Sequence, residues 1–232
     1  MTTITDRLAI AQHRITQAAQ NASRRAEDVQ LLAVSKTKPN EYIIEAYQAG
    51  QRRFGENYVQ EGEMKINSLS QEYPDIEWHF IGPLQSNKTK VVASLFDWMH
   101  TVDREKVAKR LSEQRPDDMP ALNICIQVNI SNESSKSGVA ATEVLALADS
   151  LAALPNLVLR GLMAIPSADV DEQTASQELA ALHNLYLQLA QRFDTVDTLS
   201  VGMSNDLELA VDHGSTMVRI GSAIFGERNY NV

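Results

Sequence analysis

Residues 31–55 read Leu31-Leu32-Ala33-Val34-Ser35-Lys36-Thr37-Lys38-Pro39-Asn40-Glu41-Tyr42-Ile43-Ile44-Glu45-Ala46-Tyr47-Gln48-Ala49-Gly50-Gln51-Arg52-Arg53-Phe54-Gly55. A short apolar run, Leu31–Ser35, gives way to an amphipathic stretch, Glu41–Ala49, and then to a second run, Arg53–Gly55. That is strand, helix, strand: one βα unit and the start of the next. The alternation continues. Further strand candidates are Trp78–Ile81, Trp98–Val102, Leu122–Ile130, Leu157–Ile165, Leu199–Val201 and Met217–Ala223. The clearest amphipathic stretches between them are Val59–Ser70, Arg104–Glu113, Ala140–Leu154, Asp171–Arg192 and Leu207–Val211. Only the segment after Gly82 is poorly patterned. The eight strand starts repeat every roughly 27 residues, the scale of a βα unit. Alternating units imply a parallel sheet with right-handed crossovers. Eight of them suggest an α/β fold of the (β/α)8 TIM barrel type, with a doubly wound open sheet as the alternative. Ahead of the first strand, Ile4, Leu8, Ala11, Ile15, Ala18 and Ala19 fall at helical spacing. We therefore expect a single domain over 1–232, with an extra N-terminal helix at about 1–22 and a barrel at about 30–228.

The chain has 232 residues, with 21 Lys and Arg against 30 Asp and Glu, a net charge of −9. That balance argues against nucleic acid or an anionic membrane as main partner, since both need a basic surface. The one cysteine, Cys125, excludes an internal disulfide and a cysteine-based zinc site. The five histidines form no cluster with metal-ligand spacing, so no metal is expected. No apolar stretch approaches the roughly 18–20 residues that span a bilayer, and Met1–Ile15 lacks a signal-peptide pattern. A cytoplasmic, soluble protein is expected.

Chemistry in such barrels sits at the C-terminal ends of the strands. The first strand ends at Lys36. A lysine desolvated there, with Lys38 and Arg219 adding like charge, favours the free amine that attacks a carbonyl; the plainer reading is a lysine that snorkels to solvent. The last two strands end in Gly202-Met203-Ser204-Asn205 and Gly221-Ser222. Barrels frequently bind phosphate at that position, although Ser204 or Asn205 could be a simple helix cap and the glycines turn residues. An amine and a phosphate cradle in one mouth suggest a phosphorylated aldehyde, either pyridoxal 5′-phosphate (PLP) or a phosphosugar. Strand alternation puts Arg219 on the same face as Gly221. Arg219 either pairs with an inner carboxylate, Asp103 or Glu56, or donates to a pyridine nitrogen. As a permanent donor it would keep that nitrogen unprotonated, a weaker electron sink that discourages carbanion chemistry. His79 lies on an apolar strand and reads most simply as a satisfied core residue. Asn57 is a ligand donor or a cap. Met163 and Cys125 read as barrel core, and the loop residues Lys88 and Lys136 as solvated.

Seven motifs together carry a resemblance. They are Ala33-Val34-Ser35-Lys36-Thr37-Lys38; Phe54-Gly55-Glu56-Asn57; Trp78-His79-Phe80-Ile81-Gly82-Pro83-Leu84-Gln85-Ser86-Asn87-Lys88; Ser135-Lys136-Ser137-Gly138; Gly161-Leu162-Met163; Ser200 to Asp206; and Arg219 to Gly226. In this order, over nearly the whole chain, they resemble the PLP homeostasis protein family, itself similar to the N-terminal barrel of alanine racemase and bacterial-type ornithine decarboxylases, the fold type III PLP-binding barrel. The resemblance implies that Lys36 carries PLP as a reversible internal aldimine. It further implies that Ser204, Asn205, Gly221 and Ser222 hold the phosphate, that Arg219 faces the pyridine nitrogen, and that Asn57, His79 and Met163 surround the ring. The implied role is intracellular PLP and vitamin B6 homeostasis, with no established enzymatic activity and no catalytic residue.

Fold type III enzymes complete their site with a second, β-rich domain and a partner subunit. This chain has no length to spare for that domain, so we expect a monomer whose mouth stays open and exposes PLP, with release or transfer to PLP-dependent apo-enzymes. The enzyme alternative is a weak amino-acid racemase or decarboxylase, for which Tyr58, His79 or Lys136 would have to serve as the second acid/base. A PLP-free aldolase-like barrel and a pure interaction scaffold are the remaining alternatives.

Overall fold

The structure is a computed structural model and describes residues 2–131, 133, 136–167 and 170–227. Met1 of the expected first helix, Ser135 of the quoted motif and Arg228 at the expected barrel end lie outside the described residues. Among those described, eight parallel strands close into a barrel in chain order: β1 (Gln30–Val34), β2 (Arg53–Glu56), β3 (Glu77–Phe80), β4 (Trp98–Val102), β5 (Leu122–Val128), β6 (Leu157–Ala164), β7 (Thr198–Ser200) and β8 (Met217–Ile220). The seam is the β1–β8 pairing, which sets Leu32 beside Arg219 and Ala33 beside Ile220. The closed barrel removes the open-sheet alternative.

Parallel strands covered on both faces read as apolar runs, which is why these segments are visible in sequence. One set of side chains, including Leu31, Phe54, Phe80, Met99, Ile126, Leu162 and Val218, packs outward into the main core with the surrounding helices. The alternate set points inward. Trp98, Cys125 and Met163 form a separate buried cluster there, beside His79, His100, Ser200 and Arg219, all buried. The barrel interior is therefore unusually polar.

The helices follow the expected alternation: α1 (Ile4–Asn21), α2 (Asn40–Gln48), α3 (Val59–Leu69), α4 (Thr89–Leu95), α5 (Glu105–Gln114), α6 (Val144–Ala152), α7 (Glu172–Arg192), α8 (Leu207–Asp212) and α9 (Ser222–Phe225). α1 starts with a capping box in which Thr3 Oγ1 accepts from Asp6 N–H and Thr3 N–H donates to Asp6 Oδ2. This satisfies two of the unpaired amides of its first turn. Its buried stripe is Ile4, Leu8, Ala11, Ile15, Ala18 and Ala19, and it packs on α8, α9 and α2.

Several element ends shift from the sequence reading, and three of the differences have a local cause. The unpatterned segment after Gly82 holds a 3-10 turn, Ser86–Lys88, running into α4, too short for a clear apolar period. β8 stops at Ile220, because Gly221 caps α9 and Ser222 opens it. Ala140–Leu154 begins as a 3-10 turn, Ala141–Glu143, before α6.

Gly161 marks an irregularity where the β5–β6 register shifts between Ile124 and Cys125. Its φ is +149°, and a Cβ there would lie 1.8 Å from the Thr198 carbonyl oxygen. Both strain and collision forbid a side chain. Gly161→Ala should lower the unfolding free energy by about 3 kcal/mol or more, measured as a shift in the urea midpoint; an unchanged midpoint would contradict this geometry.

Candidate functional site at the barrel mouth

The C-terminal strand ends surround a cavity of about 690 Å³. Lys36 follows β1 and reaches it half-buried. Asn57 enters after β2, Met163 from β6, Ser204 and Asn205 from the β7–α8 loop, Arg219 from β8, and Gly221 and Ser222 from the start of α9. Eight of the nine residues singled out in the sequence thus line one space. Lys38, Val34, Ile81, Ile165 and Met203 line it too. The ninth, His79, does not. Its ring is fully buried, with Nε2 2.8 Å from Glu77 Oε1 and Nδ1 2.8 Å from His100 Nε2, and it stacks on Trp98. Period-2 alternation turned it into the barrel, but one layer below the mouth.

Lys36 is set by a buried polar clamp on its two chain neighbours. Ser35 Oγ donates to Glu56 Oε1 at 2.6 Å. Lys65 Nζ donates to the Ser35 carbonyl at 2.8 Å, to Glu56 Oε1 at 2.8 Å and to Glu61 Oε1 at 2.6 Å. Thr37, in the left-handed region at φ 62°, donates its N–H to Glu61 Oε1 at 2.6 Å. Burial pushes the Glu56 carboxyl up, against the pull of Lys65 and Ser35. Lys65 sits on the apolar stripe of α3 with Gly62, Ile66 and Leu69, a lysine out of place on a buried face and the signal by which the clamp is readable in sequence.

Arg219 finds neither of the carboxylates weighed above. It donates to the Ser200 carbonyl at 2.7 Å, the Ser200 hydroxyl at 2.9 Å and the Ala164 carbonyl at 3.0 Å. Glu56 is engaged by Lys65, and Asp103 pairs with Arg104 at 3.3 Å. Burial pulls the guanidinium down to about 10, still a cation at neutral pH. Two of the three acceptors missed in the sequence are backbone carbonyls, which no residue type announces.

The β7–α8 loop is braced from outside. Met203 N–H donates to Asp206 Oδ1 at 2.6 Å. Arg14 of α1 donates to the Ser204 carbonyl at 3.1 Å and grips Glu208 with two bonds, at 3.0 and 2.9 Å. Lys38 Nζ donates to the Glu227 carbonyl at 2.6 Å, joining the β1 loop to the chain after α9. Lys136 lies in a smaller recess of about 190 Å³ that shares Asn57, Ile81 and Ile165 with the main cavity. Its ammonium is held by Glu133 at 2.8 Å and the Pro166 carbonyl at 3.0 Å. Lys88 lines neither space.

The donor set can bind a phosphorylated aldehyde: an amine, hydroxyls and amides at the β7 and β8 ends, and a buried guanidinium between them. Asn57 Oδ1 is buried without a hydrogen-bond partner among the described residues, an unsatisfied acceptor beside the cavity. No group of three or more His, Cys, Asp or Glu side chains among the described residues is placed to hold a metal.

Comparison with known proteins gives the same direction. Residues 9–229 match the family model described as alanine racemase, N-terminal domain. A Vibrio cholerae protein named pyridoxal phosphate homeostasis protein is 56% identical over 220 residues, 94% of this chain and 93% of its own. The solved structure of PipY from Synechococcus elongatus with PLP bound superposes with a TM-score of 0.81 at 34% identity, covering 97% of this chain and all of that one. Alanine racemase from Corynebacterium glutamicum shares the fold at 18% identity and a TM-score of 0.68, and this chain covers 62% of it.

Removing Lys65 strands Glu56 in the interior. Lys65→Met should cost about 3–5 kcal/mol in urea denaturation. Glu56→Gln added to it should return part of that loss, and strict additivity of the two changes would dissolve the clamp.

Proposed function

The chain belongs to the pyridoxal phosphate homeostasis proteins of the alanine racemase N-terminal domain family, and on that premise we propose that it binds pyridoxal 5′-phosphate at the barrel mouth and serves intracellular PLP and vitamin B6 homeostasis. The observation that carries this reading is the convergence of Lys36, Arg219, Ser204, Asn205 and Ser222 on one cavity. When bound, PLP supplies an aldehyde that condenses reversibly with an amine, releasing water. Lys36 is the amine at the mouth. Ser204, Asn205, Gly221 and Ser222 hold the phosphate by hydroxyl, amide and backbone. Arg219, a donor only, faces the ring nitrogen and keeps it unprotonated. Asn57 and the Met163 side chain flank the ring.

The protein is a carrier and not an enzyme. Racemisation or decarboxylation needs a second acid/base opposite the lysine. Of the groups eligible by sequence, both ring nitrogens of His79 are engaged by Glu77 and His100, and Lys136 is tied to Glu133 and Pro166. Tyr58 stands at the rim, 53% exposed, where water competes for its proton. On the same reading the protein acts as a cytoplasmic monomer that releases PLP or delivers it to apo-enzymes. Among the described residues, no helix is long and apolar enough to cross a membrane. The whole of 1–232 acts as one barrel domain.

The direct experiment is an absorbance spectrum of the purified protein with added PLP, before and after borohydride, with the modified peptide mapped by mass. A yellow protein whose reduced adduct falls on Lys36, and a colourless Lys36→Ala variant, are expected. An adduct elsewhere, or Lys36→Ala binding as tightly as wild type and still correcting B6 imbalance in cells, would overturn the reading. A phosphate loop braced by α1 also predicts that Arg14→Ala weakens PLP binding by roughly two- to fivefold, the scale of a half-exposed ion pair, measured by fluorescence titration.

A further inference from the structure

Beneath the mouth, a line of hydrogen bonds runs along the barrel interior from Arg219 to the opposite end. Ser200 Oγ, which accepts from Arg219 at 2.9 Å, lies 3.0 Å from His100 Nδ1. His100 Nε2 lies 2.8 Å from His79 Nδ1, and His79 Nε2 lies 2.8 Å from Glu77 Oε1. Ser200, His100 and His79 are fully buried. Glu77 opens into a second, polar cavity of about 560 Å³ at the far end of the barrel.

The two ends fix the direction of every proton between them. A carboxylate only accepts, so His79 Nε2–H donates to Glu77. A neutral His79 then accepts at Nδ1 from His100 Nε2–H. A neutral His100 accepts at Nδ1 from the Ser200 hydroxyl, and that hydroxyl accepts from Arg219, which can only donate. All four links are satisfied in one sense, and both imidazoles are neutral. The surroundings agree. Burial lowers His79 even against Glu77 and Asp97, with Arg53 assisting, and it holds His100 well below the ordinary imidazole range, helped by His79 and Arg219. Burial raises Glu77, but its bond to His79 and the nearby Arg53 and Arg160 outweigh this and keep it ionised. The line ends in a guanidinium that stays protonated, so it orients and does not carry protons through to the mouth.

We propose that His100 is a positioning residue of the mouth: by accepting the Ser200 hydroxyl hydrogen bond, it leaves the Ser200 oxygen lone pairs facing Arg219 and so aims the guanidinium at the ring nitrogen of the bound ligand. This rests on the reading that PLP occupies the cavity. Side-chain geometry supplies the test. In His100→Asn, Oδ1 takes the place of Nδ1 and keeps the link to Ser200. In His100→Gln, the amide takes the place of Nε2 and keeps only the link to His79. His100→Phe keeps neither.

The apo-protein labelled with nitrogen-15 should show His79 and His100 as neutral Nε2–H tautomers; a charged His100, or one protonated at Nδ1, would overturn the inference. With PLP carrying nitrogen-15 in its ring, His100→Phe and His100→Gln should bind about tenfold more weakly. Their ring nitrogen should titrate near neutrality, where the wild-type signal stays flat. His100→Asn should recover most of both losses, and Ser200→Ala should reproduce the Phe variant. Asn behaving as badly as Phe, or Phe behaving as wild type, would reduce His100 to a space-filling role and overturn the proposal. A wild-type protein that takes up no PLP would overturn the reading of the mouth, and this role with it, while the apo tautomers would still report the direction of the line.

Discussion

The β1–β8 seam is the pairing on which the mouth depends. It joins the first and last strands of the barrel and sets Leu32 against Arg219 and Ala33 against Ile220. The lysine and half of the polar groups opposite it are then a matter of counting onward from the seam. Lys36 leaves one strand just beyond it, and Gly221 and Ser222 leave the other. A slip of one residue would turn Arg219 outward into the apolar layer between sheet and helices, where a guanidinium has no place. The charge inside the barrel and the register at its seam therefore enforce each other.

Around that seam the molecule places its stiffness with some economy. The amine is fixed through its neighbours Ser35 and Thr37 by a lysine–glutamate clamp rooted in α3. The loop opposite is fixed by α1, an element outside the repeating units, through Arg14. At the opposite end of the barrel Arg24, just past α1, donates to the Val211 and Ser215 carbonyls at 2.8 Å each. The extra helix is thus less an appendage than a strut for the β7–α8 loop that faces the lysine.

Much of this was legible in the sequence, for a physical reason. Strands buried on both faces must be apolar throughout, and helices covering them must be apolar on one stripe, so β1 to β8 and α1 announce themselves. So do polar residues that interrupt an apolar strand end, which is why Lys36, Arg219 and Ser204 stood out. What stayed hidden depends on partners rather than on residue type. His79 read most simply as a satisfied core residue, and only the resemblance put it beside the ring; its partners in the layer below the mouth, Glu77 and His100, are not announced by residue type. His100, in a strand read as ordinary, gave no signal until the fold set it against His79 and Ser200. Arg219 left an inner carboxylate and a ligand nitrogen both open, and its partners within the protein are two carbonyls and the Ser200 hydroxyl. α4 was too short, and too close to the turn at Ser86–Lys88, for any period to establish itself.

Cys125 lies inside the barrel with Trp98 and Met163, fully buried, its thiol pushed up to about 12 by that burial. A thiolate is the form that adds to carbonyls and is oxidised by peroxides, and this sulfur is withheld from both reactions. A protein that handles a reactive aldehyde has thus sequestered its sole competing soft nucleophile within a side chain or two of the site. Burial keeps the thiol out of the mouth, and the groups presented there are an amine, a guanidinium, hydroxyls and backbone amides.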